Sequence, residues 1–148
     1  LCQVEYENLE LLMSQNQLIN LPKIFDPRGN LTFIQYPQQL PFEIKRVFWT
    51  YDVPGGSSRG GHAYRSQNEL VVALSGSFDV IHTLPDGTTQ VVSLNRSYHG
   101  LYLPALTWRN LENFSTNAIC LHLSDQCFDA EDYLRDFEEY KELCHAKS

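Results

Sequence analysis

Hydrophobic and polar residues alternate over short stretches along most of this chain. The clearest alternating segments are FEIKRVFWTYDV, FDVIHTL, TTQVVSL and NAICLHLSD. Because successive side chains of a strand face opposite sides, these segments predict β-strands. Turn sequences such as Pro85-Asp86-Gly87 separate them and predict hairpins. Many short strands with frequent turns indicate an all-β sandwich or barrel.

The two ends of the pattern differ from its middle. Near the start, Ile19–Phe25 and Leu31–Gln35 predict two strands joined by the turn sequence Asp-Pro-Arg-Gly. Near the end, acidic residues precede apolar side chains at helical spacing, so we expect an amphipathic helix that begins at Asp129 as its N-cap. The apolar stripe of that helix comprises Tyr133, Phe137 and Tyr140.

The segment RGGHAYRSQNELVVALSG carries the most distinctive chemistry. In a strand, His62 and Tyr64 face the same side, and the LVVAL run after Glu69 reads as a buried strand. The order Gly, His-x-Tyr, Glu, Gly resembles the first motif of the cupin superfamily. In that motif His-x-His and Glu project into a small β-barrel and commonly hold a metal. Here Tyr64 occupies the position of the second histidine.

Length and charge narrow the class of protein. With 148 residues, 43% of them hydrophobic, the chain suits one domain with a substantial core. We expect an N-terminal extension over 1–17 and a single cupin domain over 18–148. A net charge of -7 argues against a surface for nucleic acid. No apolar run approaches the length of a membrane span, and four scattered cysteines favour free thiols, so we expect a cytoplasmic protein.

Several histidines and one arginine invite a structural interpretation. His82 and His122 lie within apolar strands and His99 lies beside a glycine, so we interpret all three as structural. For His62, two interpretations remain open: a functional residue of the cupin-like motif, or a residue kept only for packing. Arg46 alternates with apolar residues, which leaves two interpretations open: a sheet-edge residue that reaches water along its stem, or a ligand-binding residue.

A metal site is disfavoured by the residue types. Metal-binding cupins use three imidazoles and a carboxylate, which supply enough well-placed ligands for zinc, iron or manganese. The position that commonly gives the third histidine, in PALTWRN, reads Arg109. A guanidinium repels a cation but binds a phosphate or an oxyanion. We therefore expect a barrel that works without metal or another cofactor.

A longer set of segments resembles one cupin family. FDPRGNL, PFEIKRVFWTYDV, RGGHAYRSQNE, LSGSFDV, GLYLPALTWRNL and FDAEDYLRDFEEY occur in this order between about residues 18 and 143. Together they are similar to the bacterial WxcM-like nucleotide-sugar 3,4-ketoisomerases, which act on dTDP-4-oxo-6-deoxyglucose. The resemblance implies a metal-free jelly roll, a homodimer with exchanged β-strands, and isomerisation of a dTDP-linked deoxysugar.

The resemblance also implies roles for particular residues. His62 corresponds to the base that takes the proton from carbon 3, while Tyr64, Arg59 and Arg109 are candidates to stabilise the enediolate. Arg28 and Arg46 are the candidates to bind the diphosphate. Phe48 and Trp108 are the candidates to stack on the sugar or thymine. Three positions depart from the family pattern, namely Tyr64, Phe48 and Arg109.

Two other functions remain open at this point. A related dTDP-sugar epimerase would use a His base and a Tyr acid, although His62 and Tyr64 share one face of one strand. A non-catalytic cupin that binds a sugar nucleotide would tolerate the altered positions in the pocket.

Overall fold

The computed structural model describes residues 16–148 as two antiparallel five-stranded sheets packed face to face. In spatial order, the first sheet contains β1 (Gln17–Asn20), β9 (His99–Leu103), β6 (Glu69–Ser75), β11 (Ile119–Ser124) and β4 (Arg46–Thr50). The second contains β12 (Tyr133–Leu134), β5 (Arg59–Tyr64), β10 (Trp108–Glu112), β7 (Phe78–Thr83) and β8 (Thr89–Leu94). A small hairpin pairs β2 (Lys23–Ile24) with β3 (Leu31–Thr32). The chain ends in a helix, α1 (Phe137–Lys147).

Apolar residues fill three layers around these sheets. The inner layer lies between the two sheets and includes Phe78, Leu101 and Leu111. A second layer covers the outer face of the first sheet with segments from the N-terminal part of the chain, such as Leu40 and Phe42. The third packs α1 on the second sheet. Strand β6 contributes to the first two layers, which explains the uninterrupted apolar run in its sequence.

The predicted all-β jelly roll with a C-terminal helix is confirmed. Among residues 16–148, however, backbone hydrogen bonds do not join the two sheets into one closed barrel, so the domain is a sandwich. The Pro85-Asp86-Gly87 hairpin forms between β7 and β8 as predicted. The predicted N-terminal extension, 1–17, lies almost entirely outside the described residues and stays a prediction.

The ends of two predicted elements differ from the structure. The strand predicted over Ile19–Phe25 is divided into β1 and β2, because Pro22 lacks the N–H that a continuous ladder needs. Its predicted partner, Leu31–Gln35, forms a strand only over Leu31–Thr32.

The C-terminal helix begins later than predicted. Asp129 caps a three-residue 3-10 helix, and Asp136 is the N-cap of α1, where its side chain accepts a hydrogen bond from the backbone N–H of Glu139. Between them, the buried carboxylate of Asp132 accepts hydrogen bonds from the backbone N–H groups of Ser66 and Gln67. These bonds hold the segment against the second sheet, so Tyr133 lies on a strand and not on the predicted helical stripe.

Among residues 16–148, no helix has both the length and the apolar character needed to cross a membrane.

Candidate active site

A cavity of about 460 Å³ lies between the two sheets and is lined by residues of both. Strand β5 contributes His62 and Tyr64, and its neighbour β10 contributes Arg109. From the first sheet, Glu69 on β6 and His122 on β11 reach the same space. The cavity therefore brings together residues that are far apart in the sequence.

A backbone irregularity at the start of β5 shapes one wall of the cavity. Gly60 has a φ of +94°, and a Cβ atom at this position would lie 2.9 Å from the carbonyl oxygen of Arg109. The pairing of β5 with β10 shifts register between Arg109 and Asn110 at this point. Glycine fits both requirements, because it tolerates left-handed φ values and close backbone approach.

One ring nitrogen of His62 is available to accept a proton. The backbone of Gly60 forms a hydrogen bond with the ring, while Nε2 is buried and has no hydrogen-bond partner among residues 16–148. Burial and, next, the positive charge of Arg109 lower the pKa of His62 to about 4. The imidazole is therefore neutral at physiological pH, which is the form that accepts a proton.

Two tyrosines surround the His62 ring. The ring centroid of Tyr64 lies 4.9 Å from that of His62, and the centroid of Tyr133 lies 5.1 Å from it. The Tyr64 hydroxyl donates to the Tyr133 hydroxyl at 3.3 Å, and Arg46 Nη2 donates to the same oxygen at 3.4 Å. Burial and the negative charge of Glu69 raise the pKa of Tyr64, so its phenol keeps its proton and remains a donor.

A buried charge network forms the floor of the cavity. Glu69, with its side chain 2% exposed, accepts a hydrogen bond from Arg109 Nη1 at 2.7 Å through Oε2. Its other oxygen, Oε1, makes a very short contact with Nδ1 of His122. Burial alone would raise the pKa of Glu69, but the charges of His122 and Arg109 outweigh it and lower the pKa to about 2. Glu69 is therefore an anion at physiological pH.

Arg109 lies in the cavity as predicted but is not free to bind a ligand. Besides the ion pair with Glu69, its Nε and Nη2 donate to the carbonyl oxygen of Thr107 at 3.2 and 3.1 Å. The guanidinium also lies 4.8 Å from the centre of the Tyr64 ring. These contacts hold Arg109 beneath Tyr64, where it supports the phenol and neutralises the buried carboxylate.

The other predicted residues are divided between the cavity and the rest of the molecule. Arg59 and Phe48 line the cavity, and Arg46 lies beside it with its guanidinium 4.4 Å from the centre of the Phe48 ring. Trp108 packs instead against Phe137 and Tyr140 of α1. It belongs to the core beneath the helix, because its outward position on β10 faces α1.

Arg28 also lies away from the cavity. It is exposed in the turn between β2 and β3, where its side chain pairs with Asp26 at 2.9 Å. Arg28 and Asp26 are two residues apart in a tight turn, which brings their side chains together. Neither residue lines the cavity.

The sequence did not predict that Glu69 is a buried anion, or that His122, Tyr133 and Arg135 line the cavity. His122 was predicted to be structural, but it lines the cavity and stacks on Phe48 with a centroid distance of 4.3 Å. One signal was present, because alternation in ICLHLS places Cys120, His122 and Ser124 on one face, a polar set in an otherwise apolar strand.

No group of three or more His, Cys, Asp or Glu residues in the range 16–148 is arranged to hold a metal ion. The residues nearest to such a set, Glu69 and His122, bind each other, and the adjacent Arg109 is a cation. The donor set thus favours an anionic or polar organic ligand over a metal.

Comparison with known proteins identifies the family. The model of the family described as FdtA: WxcM-like, C-terminal matches residues 14–145. The chain belongs to this WxcM-like family. Among curated proteins it resembles TDP-4-oxo-6-deoxy-alpha-D-glucose-3,4-oxoisomerase of Aneurinibacillus thermoaerophilus, with 35% identity over 128 residues that cover 86% of this chain and 91% of the relative.

Solved structures of other ketoisomerases share the fold of this WxcM-like protein. QdtA, a sugar 3,4-ketoisomerase of Thermoanaerobacterium thermosaccharolyticum solved with TDP, superposes with a TM-score of 0.86 and 30% identity, over 89% of this chain and 96% of QdtA. WlaRB, a TDP-quinovose 3,4-ketoisomerase of Campylobacter jejuni, superposes with a TM-score of 0.82 and 34% identity, over 86% of this chain and 97% of WlaRB.

We expect His62 to titrate far below an ordinary histidine. Because burial and Arg109 disfavour its charged form, its ring resonances should shift with a midpoint near pH 4, compared with 6.5 for the unperturbed group. The folded state should also lose stability as pH falls from about 6.5 towards 4, since in this window the unfolded imidazole binds a proton that the folded one does not. NMR titration, assigned with a His62→Asn spectrum, measures the midpoint. A midpoint near 6.5 would contradict the described environment.

Removing one member of the buried ion pair should destabilise the protein strongly. Arg109→Met leaves the Glu69 anion without its cationic partner and should lower the free energy of unfolding by roughly 3–5 kcal/mol. The control is Arg65→Met, which breaks an exposed pair with Glu139 and should cost about 1 kcal/mol or less. Urea denaturation of the three proteins measures the difference. Equal losses for the two variants would mean that the Glu69–Arg109 contact is not buried as described.

Proposed function

We propose that this protein is an isomerase that moves the ketone of a dTDP-4-oxo-6-deoxyhexose from carbon 4 to carbon 3. Its membership in the WxcM-like family and its similarity to 3,4-ketoisomerases over most of the chain support the reaction. The observation that carries the proposal is the neutral His62 ring in the cavity, whose Nε2 has no partner among the described residues. This nitrogen makes no other hydrogen bond among those residues, so it is available to accept a proton.

The reaction is an enolisation. The ketone at carbon 4 acidifies the hydrogen on carbon 3, and His62 removes it as a proton. Although burial and the charge of Arg109 lower the pKa of His62 to about 4, the negative charge of the enediolate would stabilise the protonated ring as it forms. The base therefore gains strength as the proton moves.

Hydrogen-bond donors beside His62 would stabilise the enediolate oxygen. Tyr64 keeps its proton and lies against the His62 ring, and Arg59 lines the mouth of the cavity. One donor of this kind contributes roughly 3 kcal/mol to the transition state when it is held in place beforehand. We assign Arg109 an indirect part, because its guanidinium is bound to Glu69 and lies against the Tyr64 ring.

The diphosphate and the nucleoside would bind near the mouth of the cavity. Arg59 and Arg135 are exposed lining residues, and Arg46 lies between the Phe48 and Phe128 rings at the border. Guanidinium groups match phosphate oxygens in geometry and charge, and Phe48 offers an aromatic face to the sugar or the base. Arg28 and Trp108 have no role in this arrangement, since neither lines the cavity of its own chain.

We further propose that the enzyme works without a metal or another cofactor. The ion pairs of Glu69 with Arg109 and His122 occupy the donors that a cation would need, which supports this proposal. Stoichiometric zinc, iron or manganese in the purified active protein would overturn it. Unpaired thiols at Cys120, Cys127 and Cys144 agree with a reducing compartment, and we place the protein in the cytoplasm.

Incubation with dTDP-4-oxo-6-deoxyglucose in heavy water tests the reaction. We expect the ketone to migrate and deuterium to enter at carbon 4 of the product, or at carbon 3 of substrate re-formed from the enediolate, as observed by NMR. Deuterium at carbon 5 without ketone migration would indicate an epimerase, and the absence of both changes would indicate a non-catalytic binding protein.

His62→Asn should lower turnover by roughly two to four orders of magnitude, and Tyr64→Phe by roughly a hundredfold. Affinity for dTDP should stay close to normal in His62→Asn. Unchanged turnover in that variant would contradict the assignment of His62 as the base.

We propose that the active form is a homodimer with exchanged N-terminal strands. Strands β1 and β4 form the two edges of the first sheet, and β4 exposes Val47 and Trp49 on its outer face. Apolar side chains on an exposed edge favour pairing with a second copy. Light scattering should therefore give twice the chain mass at micromolar concentration, whereas a monomer in active samples would contradict this proposal.

A further inference from the structure

Two imidazoles line the same cavity from opposite sheets. His62 projects from β5 of the second sheet, and His122 projects from β11 of the first. A pyranose ring bound between the sheets would present one face to each of them. The proposed enolisation needs a base at carbon 3 and a proton donor at carbon 4, and His62 fills only the first of these roles.

His122 is held in an orientation suited to proton transfer. Its Nδ1 contacts the Glu69 carboxylate, and its ring stacks on Phe48 with an angle of 4° between the planes. Its Nε2 lies 3.3 Å from the hydroxyl oxygen of Thr50, which also lines the cavity, and 3.3 Å from the sulfur of Cys120. A carboxylate on one imidazole nitrogen orients the ring and stabilises the imidazolium, so the other nitrogen can give or take a proton.

The stereochemistry of the sugar separates one-base from two-base mechanisms. In the chair form of a 6-deoxyglucose unit, the axial hydrogens on neighbouring carbons point to opposite faces of the ring. If the base that removed the proton from carbon 3 returned it to carbon 4, the proton would enter on the face of the ring from which it was taken. The hydroxyl at carbon 4 would then be axial. A proton delivered from the other face would give an equatorial hydroxyl.

We propose that His122 delivers the proton to carbon 4, on the face of the sugar opposite to His62, and that the product carries an equatorial hydroxyl at carbon 4. This inference rests on the proposed function. The Glu69–His122 pair then acts as the second proton-transfer unit of the site. The pair lies on the opposite sheet from Tyr64. His122 is paired with Phe48 of β4, which has no hydroxyl group to donate a proton from this side of the cavity.

His62 takes the proton from carbon 3, and the electron pair of the C–H bond forms the double bond between carbons 3 and 4 while the ketone oxygen becomes an enolate. The proton of the carbon 3 hydroxyl passes to the oxygen on carbon 4. Carbon 4 then takes a proton from His122, and carbon 3 becomes the ketone. His62 ends with one extra proton and His122 with one fewer, and exchange with solvent restores both.

The configuration of the product is the first test, and it needs no variant. Proton NMR of the wild-type reaction should show the large coupling between the hydrogens on carbons 4 and 5 that an equatorial hydroxyl requires. A small coupling, from an axial hydroxyl, would overturn the role of His122 while leaving the isomerase itself intact. Failure of the ketone to migrate at all would instead overturn the proposed function.

The second test separates the two proton transfers. His122→Asn keeps a donor that can reach Glu69 but removes the group that gives a proton to carbon 4. Ketone migration should fall by roughly two to four orders of magnitude. Exchange of the carbon 3 hydrogen with heavy water should stay within roughly threefold of the wild-type value, because His62 still forms the enediolate.

The matched control is His82→Asn. His82 is a buried histidine of β7 whose Nε2 pairs with Gln90, and it does not line the cavity. It should leave both rates close to those of the wild type. Migration unchanged in His122→Asn, or exchange and migration lost in equal measure, would contradict the proposal, because a residue that only supports the cavity would affect both steps together. Circular dichroism checks folding, and the product configuration stands as the independent result if the variant does not fold.

Discussion

A single buried carboxylate determines how the interior of this protein is arranged. Glu69 has almost no exposure to solvent, and an isolated charge in such a place would be unfavourable by several kcal/mol. It is therefore matched by Arg109 from the opposite sheet and by His122 from the neighbouring strand. The contact with Arg109 connects the two sheets across the floor of the cavity. Fold and site thus depend on the same three side chains.

The same charges set the protonation of the groups around them. The positive charge of Arg109 adds to burial in lowering the pKa of His62, whereas the negative charge of Glu69 adds to burial in raising the pKa values of Tyr64 and Cys120. At neutral pH the cavity therefore contains a neutral imidazole and a protonated phenol, and the thiol of Cys120, which contacts His122 from the core, keeps its proton. A base and a donor are available side by side, which is the requirement for removing a proton next to a ketone.

Local patterns were enough to predict most of the fold and part of the site. The hairpin between β7 and β8, the buried strand after Glu69 and the pairing of His62 with Tyr64 on one face all depend on residues close in sequence. His122 was misjudged because its partners, Glu69 and Phe48, lie on strands distant in the chain. Arg109 was placed in the cavity, but its ion pair depends on sheet packing that alternation alone does not specify. The late start of α1 has the same cause, since Asp132 bonds to the backbone of a distant turn.

The proposed isomerisation requires His62 to lie against carbon 3 of a sugar bound between the two sheets. The most direct measurement is a crystal structure of the His62→Asn variant with dTDP-4-oxo-6-deoxyglucose bound. We expect the sugar inside the cavity, with carbon 3 within roughly 3.5 Å of the side chain at position 62 and carbon 4 facing His122. A sugar bound outside the cavity, or one with carbon 3 directed away from position 62, would contradict it.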